Sequence, residues 1–491
     1  MNVKVVFSTI GRMLLVEAVL LCLPLTVALI YQEYNYILPF IIPIIALIII
    51  GLLLSKNKPD TSKMFAKEGF AVVGLSWVLL SLFGALPFTI GGIIPNYIDA
   101  LFETVSGFTT TGSSIVTNID AWYDSAKSML FWRSFTHWVG GMGVLVFVLA
   151  ILPKSEGQSI YLIKAESTGP KVGKLVSKVK LTARILYLIY LGLTLTCFIL
   201  LAFDPTMPVF DALLHAFGTA GTGGFGLHAE SLGYYSIYCQ IVVAIFMMLF
   251  GINFNIFYLL LIGNLKEVFK NNELRWYLGI IILSTILITI DIFLDSALAY
   301  ESIAIALKDS FFQVSSIITT TGFATADFAK WSTFSKMILL TLMFVGGCAG
   351  STGGGIKVSR VVILLKSARR EIKKLAHPNS VSNIKMDGDT LDEDVVKGVT
   401  NYFAIIMILF IIGVLIISLD PSITDLETVI TSVAACLNNI GPGLSSMVGP
   451  LGSFADFSIV SKITLIFAML LGRLELYPIL LVFNPKVWLG K

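Results

Sequence analysis

Four short stretches rich in threonine and glycine carry the chemistry that recurs along this chain. They are Gly107-Phe-Thr-Thr-Thr-Gly-Ser113, Thr219-Ala-Gly-Thr-Gly-Gly-Phe225, Ser316-Ile-Ile-Thr-Thr-Thr-Gly-Phe323 and Leu437-Asn-Asn-Ile-Gly-Pro442. An aspartate stands thirteen residues before a glycine in three of them: Asp99 before Gly112, Asp211 before Gly224, Asp309 before Gly322. Thr428 stands thirteen before Gly441 in the fourth. Gly224 rather than Gly223 is therefore the partner of Gly112 and Gly322, and internal repetition on this scale fixes the architecture before any detail. A dehydrated monovalent cation needs several oxygens at once, and rings of backbone carbonyls supply them. Glycine lets adjacent carbonyls aim inward because a positive φ costs it little; threonine adds a hydroxyl and a stiff χ1. The expected ion-binding layers are Thr110, Thr111 and Gly112; Thr222, Gly223 and Gly224; Thr320, Thr321 and Gly322; and Asn439, Ile440 and Gly441.

The segments that position these stretches read as membrane helices. Two spans, 9–31 and 35–55, form an N-terminal hairpin with no filter-like stretch of its own. From residue 67 a unit recurs, made of a spanning helix, a half-length apolar segment ending in the Thr/Gly stretch, and a second spanning helix. The predicted triplets are 68–94, 98–110 and 127–152; 182–203, 209–222 and 236–263; 276–296, 304–320 and 335–365; 396–419, 426–439 and 458–483. That makes ten crossings and four re-entrant segments. About 11 helical residues reach only ~16 Å, so the half-length segments must dip in and return, which is tolerated where the backbone lines a wet cavity. The aspartates near their starts suit an N-cap or the positive end of a helix. Their negative C-terminal ends then face the Thr/Gly stretches and favour a cation there.

Composition agrees: the 491 residues are 56% hydrophobic and 13% charged, with a net charge of +3. Ordinary soluble domains carry about 25% charged residues. Cys22, Cys197, Cys239, Cys348 and Cys436 are scattered without metal-ligand spacing, and no nucleophile–base pair suggests an enzyme. No cleaved leader is expected at the N-terminus. Lys and Arg crowd the segments between units, 56–67, 153–180, 264–275 and 366–397, whereas the segments after the filters contain only Lys330. By the positive-inside rule the inter-unit loops and both termini face the cytoplasm. The filters then open outward beside acids such as Asp120, Asp124, Glu230, Asp327 and Asp456.

With these residues in view the chain resembles the Trk/Ktr/HKT superfamily of potassium transporters. The resemblance is carried by Phe108-Thr-Thr-Thr-Gly-Ser113, Thr222-Gly-Gly-Phe225, Ile318-Thr-Thr-Thr-Gly-Phe-Ala-Thr-Ala-Asp327, Asn438-Asn-Ile-Gly-Pro-Gly443 and Gly472-Arg-Leu-Glu-Leu-Tyr-Pro478. The N-terminal hairpin and Phe483-Asn-Pro-Lys-Val-Trp488 look like the bacterial TrkH/TrkG branch. The resemblance implies an all-α membrane fold: the N-terminal hairpin (1–66) and four fused helix–pore-loop–helix repeats (67–165, 166–270, 271–380, 381–491) in pseudo-fourfold arrangement around one pore. It implies potassium uptake in a bacterial inner membrane, a homodimer, and regulation by a cytosolic nucleotide-binding subunit of the TrkA type. No nucleotide on this chain and no nucleic-acid partner are expected. Glycine at the first filter position, Gly112, goes with potassium over sodium in that superfamily; Ile440 and Pro442 make the fourth repeat the least regular.

Two further features interrupt apolar helices. Six of the ten residues 346–355 are glycine (Gly346, Gly347, Gly350, Gly353, Gly354, Gly355), which at about 1 kcal/mol per helical position makes a continuous helix improbable. The resemblance implies an intramembrane gate loop here; a passive kink is the alternative. The stretch Gly350–Lys357 is not a phosphate-binding loop, since Ile356 separates glycine from lysine and no strand precedes it. Arg473 lies inside the last apolar helix, where a guanidinium must face water or a carboxylate. It either projects into the pore below the filter as a barrier to cations or pairs with an acid on another helix. Glu17 is expected to be paired and structural, and His137, four residues after Arg133, to make a structural hydrogen bond; His215 and His228 flank the second filter. A proton- or sodium-coupled potassium symporter, or a sodium-permeable pore of the same fold, is the alternative function.

Overall fold

The computed structural model describes residues 1–56, 66–143, 179–298, 300–378, 382–483 and 485. Residues 57–65 and 144–178, which hold much of the basic inter-unit sequence, and the C-terminal residues 486–491 lie outside the described residues. The N-terminal helices Val3–Ile30 and Ile37–Ser55 pack backbone to backbone at two glycines. A Cβ on Gly11 would stand 2.8 Å from the carbonyl oxygen of Gly51, and one on Gly51 2.9 Å from that of Gly11. Small residues of this kind let membrane helices approach closely.

Each repeat opens with a long apolar helix: Ala66–Gly84 continued by Leu86–Ile90, then Val179–Ala202, Asn272–Leu294 and Glu393–Ile417. A short pore helix follows in each: Tyr97–Phe108, Val209–Gly221, Ile303–Ile318 and Leu426–Leu437, of 12, 13, 16 and 12 residues. The pore helices are buried along most of their length, so they form the centre of the molecule. Their N-caps are Asn96, Pro208, Ser302 and Asp425. Asp99, Asp211 and Asp309 are thus not caps, as the sequence had allowed. They bind sideways instead: Asp99 pairs with Lys462 at 2.7 Å, Asp211 accepts from Tyr123 and Tyr235, and Asp309 pairs with Lys308 at 2.9 Å.

The second helices depart most from expectation. Among the described residues six helices are long and apolar enough to cross a membrane: the N-terminal pair and the first helix of every repeat. Every second helix is shorter or broken near its middle. In the first repeat it runs Lys127–Gly141, and the predicted remainder, 144–152, lies outside the described residues. In the second, Ile237–Phe250 and Phe254–Leu261 meet at 93°. In the third, Thr333–Val345 and Val358–Ala376 are separated by the glycine-rich loop. In the fourth, Ile459–Arg473 and Tyr477–Val482 flank Glu475 and Leu476, both at positive φ. The continuous helices expected over 236–263 and 458–483 are therefore corrected to interrupted pairs. A two-residue hairpin, Lys385–Met386 with Asp389–Thr390, turns at Asp387-Gly388 in the loop before the fourth repeat. Positive φ at both turn residues suits that tight connection.

A carboxylate holds the N-terminus of each second helix. Asp204 accepts from Ser236, Asp291 from Ser332 and Ser335, and Asp420 from the Ser458 amide and the Ser461 hydroxyl. In the first repeat Glu33 of the N-terminal hairpin takes this place, accepting from the amides of Lys127 and Ser128. Negative charge at a helix N-terminus satisfies orphan donors and the dipole together. Each repeat is also tied to the next pore helix, from its second helix by Gln240 to Lys308, Lys336 to Glu427 and Lys462 back to Asp99, and in the first repeat by Tyr123, on the short helix Ile119–Ser125 just before the second helix, to Asp211. The tie from Lys462 to Asp99 closes the circle of repeats. Asp420→Ala, which leaves its four donors without an acceptor, is expected to lower stability by about 2 kcal/mol, read as a lower unfolding midpoint in detergent; Ser422→Ala should lower it far less.

Candidate ion filter and the loop beneath it

All four pore helices end in the same way. The amides of Thr110, Thr222, Thr320 and Asn439 turn back to the carbonyls of Gly107, Thr219, Ile317 and Cys436. The next amides, of Thr111, Gly223, Thr321 and Ile440, reach five residues back to Ser106, Gly218, Ser316 and Ala435. This pair of bonds is the Schellman motif, whose left-handed residue is usually glycine. Here it is Thr110, Thr222, Thr320 or Asn439, at φ of 55°, 55°, 58° and 56°. Two residues on, Gly112, Gly224, Gly322 and Gly441 are again left-handed, at 83°, 73°, 88° and 105°. The alternation sorts the backbone: donors fold back onto the pore helix while acceptors are released. Of the filter carbonyls, that of Gly441 accepts from Ser113 Oγ at 2.8 Å, and the others accept no hydrogen bond from the described residues. Buried carbonyls are nearly always paired, so a cluster of free ones is a candidate cation site.

The four strands meet in a closed ring. A Cβ on Gly112 would overlap the carbonyl oxygen of Gly223, one on Gly224 that of Thr321, and one on Gly322 that of Ile440. A Cβ on Gly441 would lie 2.8 Å from the carbonyl oxygen of Thr111, which returns to the first repeat. Ile440 and Pro442 notwithstanding, the fourth strand has the backbone of the others. A vestibule of about 120 Å³ opens beside the ring, lined by all four glycines. Its wall is braced by a buried pair that the sequence pattern does not reveal: Arg133 Nε donates to Glu103 at 2.6 Å, and Glu103 also accepts from Ser114 and the Ile115 amide. The two sit 30 positions apart in sequence, so no local pattern marks them.

Beneath the ring lies the glycine-rich loop. Gly346, Gly350 and Gly355 are left-handed, at φ of 74°, 70° and 75°. A Cβ on Gly353 would stand 2.7 Å from the Thr319 carbonyl oxygen and one on Gly354 2.5 Å from that of Asn438, so both pack directly under filter strands. The Gly354 amide donates to Thr320 Oγ1 at 2.6 Å, and Gly347 faces Gly251 of the second repeat. Buried Lys357 donates to the Gly353 carbonyl, and Glu273 accepts from the amides of Ala349 and Ser359.

Arg473 reaches across this level. It donates to the carbonyls of Thr352 in the loop at 2.8 Å and of Gly140 and Gly141 in the first repeat at 2.5 and 2.9 Å. Counted from the N-caps Ala126, Ser236, Ser332 and Ser458, Arg473 occupies the position of Gly141, Gly251 and Gly347. One guanidinium thus stands where the other repeats have a glycine. Neighbouring Glu475 pairs with Arg360 at 2.5 Å.

Other expectations fare differently. Glu17 is fully buried and its carboxylate oxygens have no hydrogen-bond partner among the described residues, so the expected pairing is corrected. Both ring nitrogens of His137 are likewise without one, and the ring stacks on Phe225 instead. His215 bonds the Asp211 carbonyl at 2.8 Å and His228 faces Asp120 at 2.8 Å. The glycine ring yields a direct prediction. Gly322→Ala, whose Cβ meets the Ile440 carbonyl, should cut cation uptake at least about tenfold in cells, while Gly192→Ala, which meets nothing within 4 Å, should not change it.

Comparisons with known proteins agree with this architecture. The TrkH family, described as cation transport protein, matches residues 39–489. The Trk system potassium uptake protein TrkH of Salmonella typhimurium is 36% identical over 496 residues, covering 99% of this chain and 100% of its own. The Escherichia coli K12 protein TrkG is 32% identical over 498 residues and covers 99% of each. The crystal structure of the potassium transporter TrkH from Vibrio parahaemolyticus aligns with a TM-score of 0.87 at 33% identity, over 99% of this chain and 100% of that one. The chain belongs to the TrkH family of membrane transport proteins, which are not enzymes.

Proposed function

We propose that this chain takes up potassium across a bacterial inner membrane through the carbonyl ring, as a gated pore. The observation that carries the reading is the set of filter carbonyls, all but that of Gly441 without hydrogen-bond partners among the described residues, arranged in a closed four-strand ring. Three layers are formed by Thr110, Thr222, Thr320 and Asn439, then Thr111, Gly223, Thr321 and Ile440, then Gly112, Gly224, Gly322 and Gly441. A potassium ion entering from the vestibule exchanges water oxygens for these carbonyls. The C-terminal ends of four pore helices add negative potential at the same point. A negative-inside membrane potential drives entry by ~2.3 kcal/mol per charge per 100 mV.

Below the filter the loop 346–355 acts as the gate and Arg473 as an electrostatic barrier. The bonds from Arg473 to Thr352 and from Gly354 to Thr320 support a closed arrangement, because they bridge loop, filter and opposite wall. Opening then means moving the loop and releasing the guanidinium from the Thr352 carbonyl. The four repeats, 67–165, 166–270, 271–380 and 381–491, follow the hairpin 1–66, and both termini face the cytoplasm. The chain works as a homodimer with a cytosolic TrkA-type subunit that docks on the basic segment 366–397. There Arg369, Lys373 and Lys374 are exposed, whereas Arg370 is held by Glu393 at 2.5 Å.

The test is the reversal potential of the purified protein in planar bilayers with potassium on one side and sodium on the other. A pore selective for potassium gives a reversal displaced toward the potassium equilibrium potential; a reversal near zero refutes selectivity. A pH gradient that shifts the reversal would favour a proton-coupled symporter. Under the same conditions Arg473→Ala should raise the unitary current several-fold, since it removes one desolvated positive charge from the path. An unaltered current would remove the barrier role.

A further inference from the structure

The four filter strands share a backbone, but the second lacks the side chains that anchor two of the others. In the first repeat the hydroxyls of Thr109 and Thr111 bond each other at 2.7 Å, and in the third those of Thr319 and Thr321 do so at 2.8 Å. Each pair straddles the left-handed residue and rivets the strand to the end of its pore helix. In the fourth repeat Ile440 fills the place by burial, in one apolar cluster with Ile317 and Met343. In the second repeat both positions are glycine, Gly221 and Gly223.

The group that fills that space comes from another repeat. A Cβ on Gly223 would fall within the imidazole of His137, and one on Gly221 on the His137 carbonyl oxygen. The ring stacks on Phe225, the residue after Gly224, with centroids 4.1 Å apart. Arg133, one turn earlier on the same helix, lays its guanidinium over Phe225 at 3.5 Å and donates to the Gly226 carbonyl at 3.0 Å. Arg133 is itself fixed by Glu103. The second helix of the first repeat therefore grips the filter strand of the second from Gly221 to Gly226. Counted from their N-caps, the other second helices carry methionine where this one carries His137: Met247, Met343 and Met469. The histidine and the missing side chain thus occur together, once, in adjacent repeats. With neither ring nitrogen bonded among the described residues, the imidazole acts here through its rigid shape.

We propose that His137 is a specificity-determining positioning residue: its ring replaces the absent side chain at Gly223 and sets how far that strand's carbonyls stand from the axis. The Gly223 carbonyl is the one on which Gly112 packs, so an error in its position passes to the first repeat as well. This inference rests on the carbonyl ring being the filter. A flexible or smaller residue at 137 lets the strand relax outward, widening one quarter of the ring and admitting ions that fit potassium's site badly.

The experiment compares four variants in proteoliposomes, reading the ratio of potassium to sodium permeability and the total flux of each. His137→Ala adds no bulk and is expected to keep flux while lowering the permeability ratio several-fold. Gly223→Thr alone places a side chain into the ring of His137 and is expected to lose at least about tenfold in flux. His137→Met with Gly223→Thr gives the residue types found at these two positions in the first and third strands, threonine on the strand and methionine on the preceding repeat's second helix, and is expected to recover flux and ratio together. Gly112→Ser, which strikes the filter without touching His137, tells the two claims apart. If it shifts the ratio while His137→Ala does not, the positioning role is refuted and the filter stands. If neither shifts it, the filter reading falls and this inference with it. A double variant that is monodisperse yet no better than Gly223→Thr also overturns the proposal.

Discussion

The structure depends on one constraint: a ring of backbone carbonyls, of which only that of Gly441 accepts from a side chain, must be kept free of backbone donors at the centre of the molecule. Unpaired buried carbonyls are costly, on the order of 1–3 kcal/mol each, and a chain left to itself would fold donors onto them. Two devices prevent that. The Schellman ends of the pore helices use up the neighbouring amides. The glycines let each strand press its α-carbon against the next strand's carbonyl, so no side chain or water-sized gap intervenes. The left-handed threonines and asparagine store strain of about 1–3 kcal/mol apiece, held in place by those same hydrogen bonds. Such strain belongs where function needs a backbone shape that ordinary folding would not choose.

Around this ring the repeats agree in backbone and differ in side chain. The carboxylate on each second helix and the tie to the next pore helix recur four times, yet the chemistry of each is different. Glu33, Asp204, Asp291 and Asp420 do one job from different places in the chain. Glu33 gives the N-terminal hairpin a structural purpose, since without it the first repeat lacks the carboxylate that the others carry. Where the repeats depart most sharply, single residues are left facing the axis or its wall: Arg473 in a position otherwise held by glycine, and His137 in one otherwise held by methionine. Fusion of four repeats in one chain is what permits these one-sided features, which a symmetric tetramer could not carry singly.

Much of this was legible in the sequence, because it is local. The thirteen-residue spacing to Gly112, Gly224 and Gly322 and the half-length segments come from short-range patterns, as does the break at residues 346–355. The bend at Gly251 and the break at Glu475 were not legible, since a single glycine or a Glu-Leu pair inside an apolar run signals little by itself. Left-handed threonine was missed for the same reason: propensity argues against it, and only the hydrogen bonds of the motif justify it. The grip of Glu103, Arg133 and His137 on neighbouring strands was invisible because its partners are brought together by tertiary packing. Glu17, assumed paired, stands without a bonding partner among the described residues, a reminder that chemical expectation does not fix geometry.

The central claim concerns where cations sit, and anomalous diffraction from crystals grown in thallium or rubidium salts measures that most directly. The account predicts anomalous peaks on the axis of the four strands, between the carbonyl layers of residues 110–112, 222–224, 320–322 and 439–441. Peaks confined to the vestibule or the protein surface, with none on that axis at saturating ion, would contradict it.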